Sequence, residues 1–112
     1  MVAVYVACLE ATSDCTAAAE RCAVACATSG DAERERCALF ARDCADVGRL
    51  VEALILRRSP YAENACLLHA TACEDFARYC AKWPDEACCR DAMLAARTCA
   101  AACRACAVRE AA

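Results

Sequence analysis

Residues 8–26 read CLEATSDCTAAAERCAVAC, with Cys8, Cys15 and Cys22 seven residues apart and Cys26 four further on. Seven residues is about two turns of an α-helix, so such a series lays its side chains in one stripe along one helix face. The interval returns in Cys37 and Cys44, in Cys66, Cys73 and Cys80, and in Cys99 and Cys106. A striped face is the one a helix buries. The chain therefore describes helices that share a core lined with thiols.

The segments between the stripes carry stop and start signals. A first helix, about 4–28, ends at Ser29-Gly30, a C-terminal signal. Asp31 caps a second helix to about residue 58, with Arg57 and Arg58 expected in its last turn, where the helix dipole favours cations. Ser59-Pro60 is expected to cap and open a third helix, about 60–82. Trp83-Pro84 breaks it. Asp85 and Glu86 are expected in the first turn of a fourth, about 85–108. Short connections force antiparallel neighbours, so the expected fold is all-α, a single up-down-up-down four-helix bundle domain over residues 1–112. Gly48, inside the second helix, is expected to mark a close approach.

Composition agrees. The hydrophobic fraction of 62% is largely alanine and cysteine, aromatics are 5%, and only two glycines and two prolines are present. That leaves little for loops or short strands, while alanine, leucine, glutamate and arginine favour helix. The net charge of −3 is spread over interleaved acidic and basic residues, with no basic cluster for nucleic acid. No apolar run is long enough to span a membrane. The start, MVAVYVACLE, lacks a basic n-region and meets Glu10 early, so a cytoplasmic protein is expected. No Cys–His pair with an orienting acid and no Gly-rich phosphate loop occurs, so no enzyme is expected. Asp14, Glu20, Asp43 and Glu74 read as solvated faces.

Antiparallel threading stacks the fourteen cysteines into layers. Cys8, Cys66, Cys103 and Cys106 meet at one end, with Val2, Val4, Tyr5, Leu50, Val51, Leu54, Ile55, Leu67 and Leu68 as an apolar plug. Cys15, Cys44, Cys73 and Cys99 form the middle, one from each helix. Cys22, Cys26, Cys37, Cys80, Cys88 and Cys89 lie at the other end, where the loops are polar. Adjacent Cys88 and Cys89 cannot both point inward.

Soft thiolates select Cu(I), Zn(II) and iron–sulfur clusters. Cu(I) accepts two-coordinate binding and bridging sulfurs, which suits a tube of thiols. Zinc prefers compact tetrahedral groups, and iron–sulfur ligation favours closely spaced loop cysteines. Neighbours at i and i+4, Cys22/Cys26 and Cys99/Cys103, lie side by side and can clamp one ion. His69, between Cys66 and Cys73 on the inward face, is either a hydrogen-bonded core histidine or a metal ligand through a neutral ring nitrogen. It is counted with the fourteen cysteines as a candidate ligand. Met93 reads as packing. Cross-helix disulfides in a structural or redox protein, or a zinc or iron–sulfur bundle, are the alternative to copper.

These residues also carry a resemblance. The series Cys8, Cys15, Cys22, Cys26, the segment Cys37 to Cys44 leading into CADVGRLVEAL, the stretch SPYAENACLLHATAC and the closing CAAACRAC resemble the bacterial copper storage proteins. That family implies a four-helix bundle filled with multiple Cu(I) ions, a cytosolic form without a leader, and a homotetramer. The partners expected are copper ions and a copper donor or chaperone. Family members often carry denser Cys-x-x-x-Cys ladders. This chain departs at Thr12, Ala19, Gly48, His69, Phe76, Ala92 and Ala96, where such ladders would add thiols.

Overall fold

The computed structural model describes residues 2–111, with side chains to Val108. Four helices follow one another: α1 (Ala3–Ala27), α2 (Ala32–Leu56), α3 (Ala62–Cys80) and α4 (Ala87–Ala111). They form an antiparallel bundle in a ring, α1 on α2 and α4, and α3 on α2 and α4. Sulfur positions fix the directions. Cys8, early in α1, lies 3.8 Å from Cys103, late in α4, and Cys26, late in α1, lies 3.8 Å from Cys89, early in α4. Cys37 meets Cys80, and Cys44 meets Cys73, by the same reversal. The rod measures 45 × 19 × 17 Å.

The caps explain the connections. Gly30 takes a left-handed φ of 76° after α1, a conformation glycine adopts without a Cβ clash. Asp31 Oδ1 then accepts hydrogen bonds from the N–H groups of Glu33 and Arg34 at 2.9 and 3.4 Å, the expected N-cap. The other ends differ from expectation by two residues, about half a turn. α2 closes at Leu56, and Arg57 and Arg58 lie beyond its last turn. There Ser59 N–H returns to Leu54 O at 2.9 Å and Arg58 N–H to Ile55 O at 3.0 Å, which satisfies the final carbonyls and puts Arg58 at φ 53°. Ser59 Oγ does accept from Tyr61 N–H at 3.1 Å, but this closes a turn, and α3 starts at Ala62. Asp85 and Glu86 precede α4. The Glu86 carbonyl accepts from Arg90 N–H at 3.0 Å, so Glu86 stands at the helix entrance rather than inside it.

The core is made of small side chains. Buried alanines and cysteines dominate it, and Phe76, His69, Val51 and Thr12 are its largest fully buried members. Small residues let the helices approach closely and leave the axis to sulfur. Of the expected apolar plug, only Val51, Leu54 and Ile55 are buried. Leu67 and Leu68 are 41% and 53% exposed, and Leu50 and Val2 face outward as well. Leu67 and Leu68 stand about 100° and 200° around the helix from Cys66, which carries them off the inward stripe. Exposed ion pairs join neighbouring helices, Arg49 to Glu20 and Arg104 to Glu74. Such pairs contribute at most about 1 kcal/mol each. No described helix is long and apolar enough to cross a membrane.

Candidate metal centre

All fourteen cysteines are free thiols, and all but Cys88 are buried. The split at the adjacent pair is as expected, with Cys89 inside and Cys88 half-buried, their sulfurs 4.0 Å apart. The sulfurs do not form one continuous column. Among the described residues, the thiol contacts fall into two sets.

The outer set lies at the polar loops. Cys37 and Cys80 are 3.8 Å apart, Cys22 and Cys26 3.8 Å, and Cys26 and Cys89 3.8 Å. Cys22 converges with Cys37 and Cys80 on one side and with Cys88 and Cys89 on the other. Arg34, whose side chain is only 16% exposed, reaches Glu86 at 3.8 Å, and its guanidinium also faces Cys26. It thereby places a cation beside the outermost buried sulfurs.

The inner set fills the middle and the apolar end. Cys15 lies 3.9 Å from both Cys44 and Cys73, and Cys44 lies 3.6 Å from Cys73. Cys8, Cys66 and Cys106 converge at the end, and Cys103 links them to Cys99 at 3.9 Å. His69 joins the two levels. Its Nε2 stands 3.9 Å from Cys44 Sγ, while its Nδ1 stands 3.4 Å from Cys103 Sγ and 3.6 Å from Cys99 Sγ. Cys99 faces Cys15 and Cys73 in the middle layer and also reaches Cys103 and Thr12 Oγ1, the latter at 3.6 Å. The tightest group in that layer is Cys15, Cys44 and Cys73 with His69. The sequence shows His69 on the inward face. Which thiols its two nitrogens meet depends on the rotation of α4 against α3.

Between the two sets runs a layer without sulfur. Phe76 lies between Cys73 and Cys80, Ala19 between Cys15 and Cys22, Ala41 between Cys37 and Cys44, and Ala92 and Ala96 between Cys89 and Cys99. All five are fully buried. Met93 packs against this core from its edge.

The thiols are electrostatically uneven. Hydrogen bonds from Cys15 and Cys73 hold Cys44 down at about 2, and those from Cys22 and Cys80 hold Cys37 at about 5. Bonds from Cys103 and Cys66 hold Cys8 at about 3. The donors are pushed up in turn: Cys15 chiefly by Cys44, Cys73 chiefly by Cys15, Cys80 chiefly by Cys22. Burial adds to each rise. The physical content is simple. Neighbouring buried thiols shift one another in opposite directions, because two adjacent buried sulfurs resist ionising together. Metal binding must therefore displace the remaining protons.

Thiols on facing helices, close enough to share ions and screened from water, define a soft-metal-binding bundle. The copper storage protein family matches residues 1–108, and the chain belongs to that family. It is 33% identical over 99 residues to the uncharacterized cysteine-rich protein YhjQ of Bacillus subtilis (strain 168), covering 88% of this chain and 91% of that one. Its fold matches the Cu(I)-bound copper storage protein BsCsp3 with a TM-score of 0.84 and 31% identity, over 91% of this chain and 96% of the other.

Proposed function

We propose that this protein, acting as a single bundle domain, binds and stores or sequesters multiple Cu(I) ions through the thiolates of its core. The observation that carries this reading is the pair of buried thiol sets, in which nearly every sulfur has another within 4 Å on the same or a facing helix. The ligands assigned are Cys8, Cys15, Cys22, Cys26, Cys37, Cys44, Cys66, Cys73, Cys80, Cys88, Cys89, Cys99, Cys103 and Cys106, with His69. The role is binding rather than catalysis. A cytoplasmic location, a homotetramer, and a copper donor or chaperone complete the proposal, on the family resemblance.

Charge sets the stoichiometry. Fourteen thiols in unshared pairs hold seven ions. Each such pair leaves a net negative charge in a core where an uncompensated charge is costly. Bridging sulfurs lower the number of thiolates per ion and approach neutrality. More than seven Cu(I) per chain is expected in an anaerobic titration against a chromophoric Cu(I) chelator. Saturation at one or two ions would overturn the storage reading. A free-thiol count near fourteen on freshly lysed protein separates it from a disulfide scaffold.

A further inference from the structure

We propose that Arg34 sets the copper affinity of the outer set, as a fixed counter-charge to its anionic copper–thiolate assembly rather than as a ligand. The inference rests on the copper reading above and adds to it a residue that offers no sulfur. Arg34 stands apart from the other paired arginines. Arg49, Arg78 and Arg104 hold their carboxylates with side chains about half exposed or more, whereas that of Arg34 is 16% exposed. Its contact with Glu86 is long, 3.8 Å, and the glutamate side chain is itself half in solvent. Such a partner contributes little. Arg34 Nε is enclosed and has no hydrogen-bond partner among the described residues. The residue also sits in the first turn of α2, between Glu33 and Glu35, where the helix dipole favours acids and disfavours a cation. A guanidinium placed there costs the metal-free protein more than its carboxylate returns.

What the guanidinium faces accounts for the cost. It is turned toward Cys26 and Cys89, whose sulfurs are 3.8 Å apart, and Cys22 converges with Cys88 and Cys89 beside them. Cu(I) held by two thiolates carries a net negative charge. Sharing sulfurs between ions dilutes that charge, but every unshared thiolate adds to it. A guanidinium keeps its proton at any pH at which the protein works, so its charge is always available to the assembly. Near a protein surface, opposite charges close to contact attract strongly enough to change a binding constant by an order of magnitude. Glu86 acts on the same guanidinium from the solvent side. It neutralises part of the charge and so competes with the thiolates. The two members of this ion pair are therefore expected to affect copper in opposite directions.

The test uses the reduced full-length protein under anaerobic conditions, titrated with Cu(I) against a chromophoric chelator. In Arg34→Met, which keeps the apolar bulk of the side chain, some of the bound ions should weaken about tenfold and the rest should keep wild-type affinity, with total capacity unchanged. Arg34→Lys retains the charge and should recover part of the loss. Glu86→Gln breaks the same ion pair but should tighten those ions. Arg104→Met removes an equal charge from outside the core and should leave the curve unchanged. Copper-free Arg34→Met should be at least as stable as wild type in urea, because an apolar chain replaces an underpaired, largely buried charge. A packing role alone predicts lower copper-free stability, no recovery with lysine and weaker binding in Glu86→Gln. Any of those results, or wild-type affinities in Arg34→Met, overturns the proposal. Wild-type capacity judges the copper reading by itself. Several ions per chain with no effect of Arg34→Met refutes the counter-charge and leaves copper storage standing, whereas failure of the wild type to take up several ions refutes both.

Discussion

Gly48 and His69 are complementary across the α2–α3 interface: a Cβ on residue 48 would lie 3.2 Å from Nε2 and 3.3 Å from Cε1 of the imidazole. The same Cβ would lie 2.7 Å from Thr16 Oγ1, closer than real contacts allow. Alanine gains about 1 kcal/mol over glycine in a helix interior. Overpacking a filled core costs about 1–3 kcal/mol. The second effect wins here, because the ring is fully buried and cannot swing into solvent. Gly48→Ala is expected to destabilise the reduced metal-free protein by about 1 kcal/mol in urea denaturation. Thr16→Ala in the same chain should recover part of the loss. A Gly48→Ala protein more stable than wild type would show that the ring is not confined.

The four middle cysteines contribute modest apolar burial, while the helices are held by their alanine-rich faces and caps. Replacing Cys15, Cys44, Cys73 and Cys99 with alanine should lower Cu(I) capacity and leave the helical circular dichroism of the metal-free protein nearly unchanged. Collapse of that signal would make these thiols structural.

Copper delivered by thiolate exchange needs an accessible accepting sulfur. Cys88 is half-buried beside the polar loops, with Cys89 and Cys26 behind it, whereas Val51, Leu54 and Ile55 close the other end. Cys26→Ser, Cys88→Ser and Cys89→Ser together should slow loading from a chelated donor much more than they lower final capacity. Serine at Cys8, Cys103 and Cys106 should do the reverse. Equal stopped-flow loading rates for the two triple variants would refute the polarity.

Phe76 is the one large side chain in the sulfur-free layer between the outer and inner sets. Phe76→Ala should cost about 3–5 kcal/mol of stability, the usual range for removing a buried phenyl ring. It should also speed the loading of Cu(I) from a chelated donor into the inner set, by opening the layer between the two sets. A loading rate unchanged in the variant would mean that Phe76 is packing alone.

In the metal-free reduced protein, burial works against the His69 imidazolium, but the facing sulfurs of Cys44 and Cys99 outweigh it and raise the ring to about 10. Cys103 also faces Nδ1, and Thr16 approaches from α1. A raised folded value for a base means stabilisation that is complete below the unfolded value of about 6.5 and is lost as pH climbs toward the folded one. The stability gap between wild type and His69→Gln should therefore shrink from about pH 6.5 to about pH 10. Urea denaturation across that window measures it, and a gap that widens with pH reverses the assignment.

Much of the fold was legible in the chain. Asp31, Gly30 and the proline-marked breaks locate the connections, because capping is local chemistry, and the heptad interval puts each series of sulfurs on one face. The termini near Arg57, Ser59 and Asp85 lie about half a turn from where those signals put them. Local signals propose a cap, but the hydrogen bonds of Ser59 to Leu54 and of Arg90 to Glu86 decide where the ladder starts and stops. Leu67 and Leu68 were assigned inward on proximity to Cys66, although their angular offset from that stripe already placed them elsewhere.

The sequence by itself determined an antiparallel bundle with a thiol core, since spacing along a helix and the length of its connections are properties of one strand of chain. Only the tertiary structure decided how the sulfurs divide. Each helix can turn about its axis and slide along its neighbours, and a shift of a few ångströms chooses which donors converge. That choice brought His69 in among the middle sulfurs, left an apolar layer around Phe76, and brought Arg34 beside Cys26.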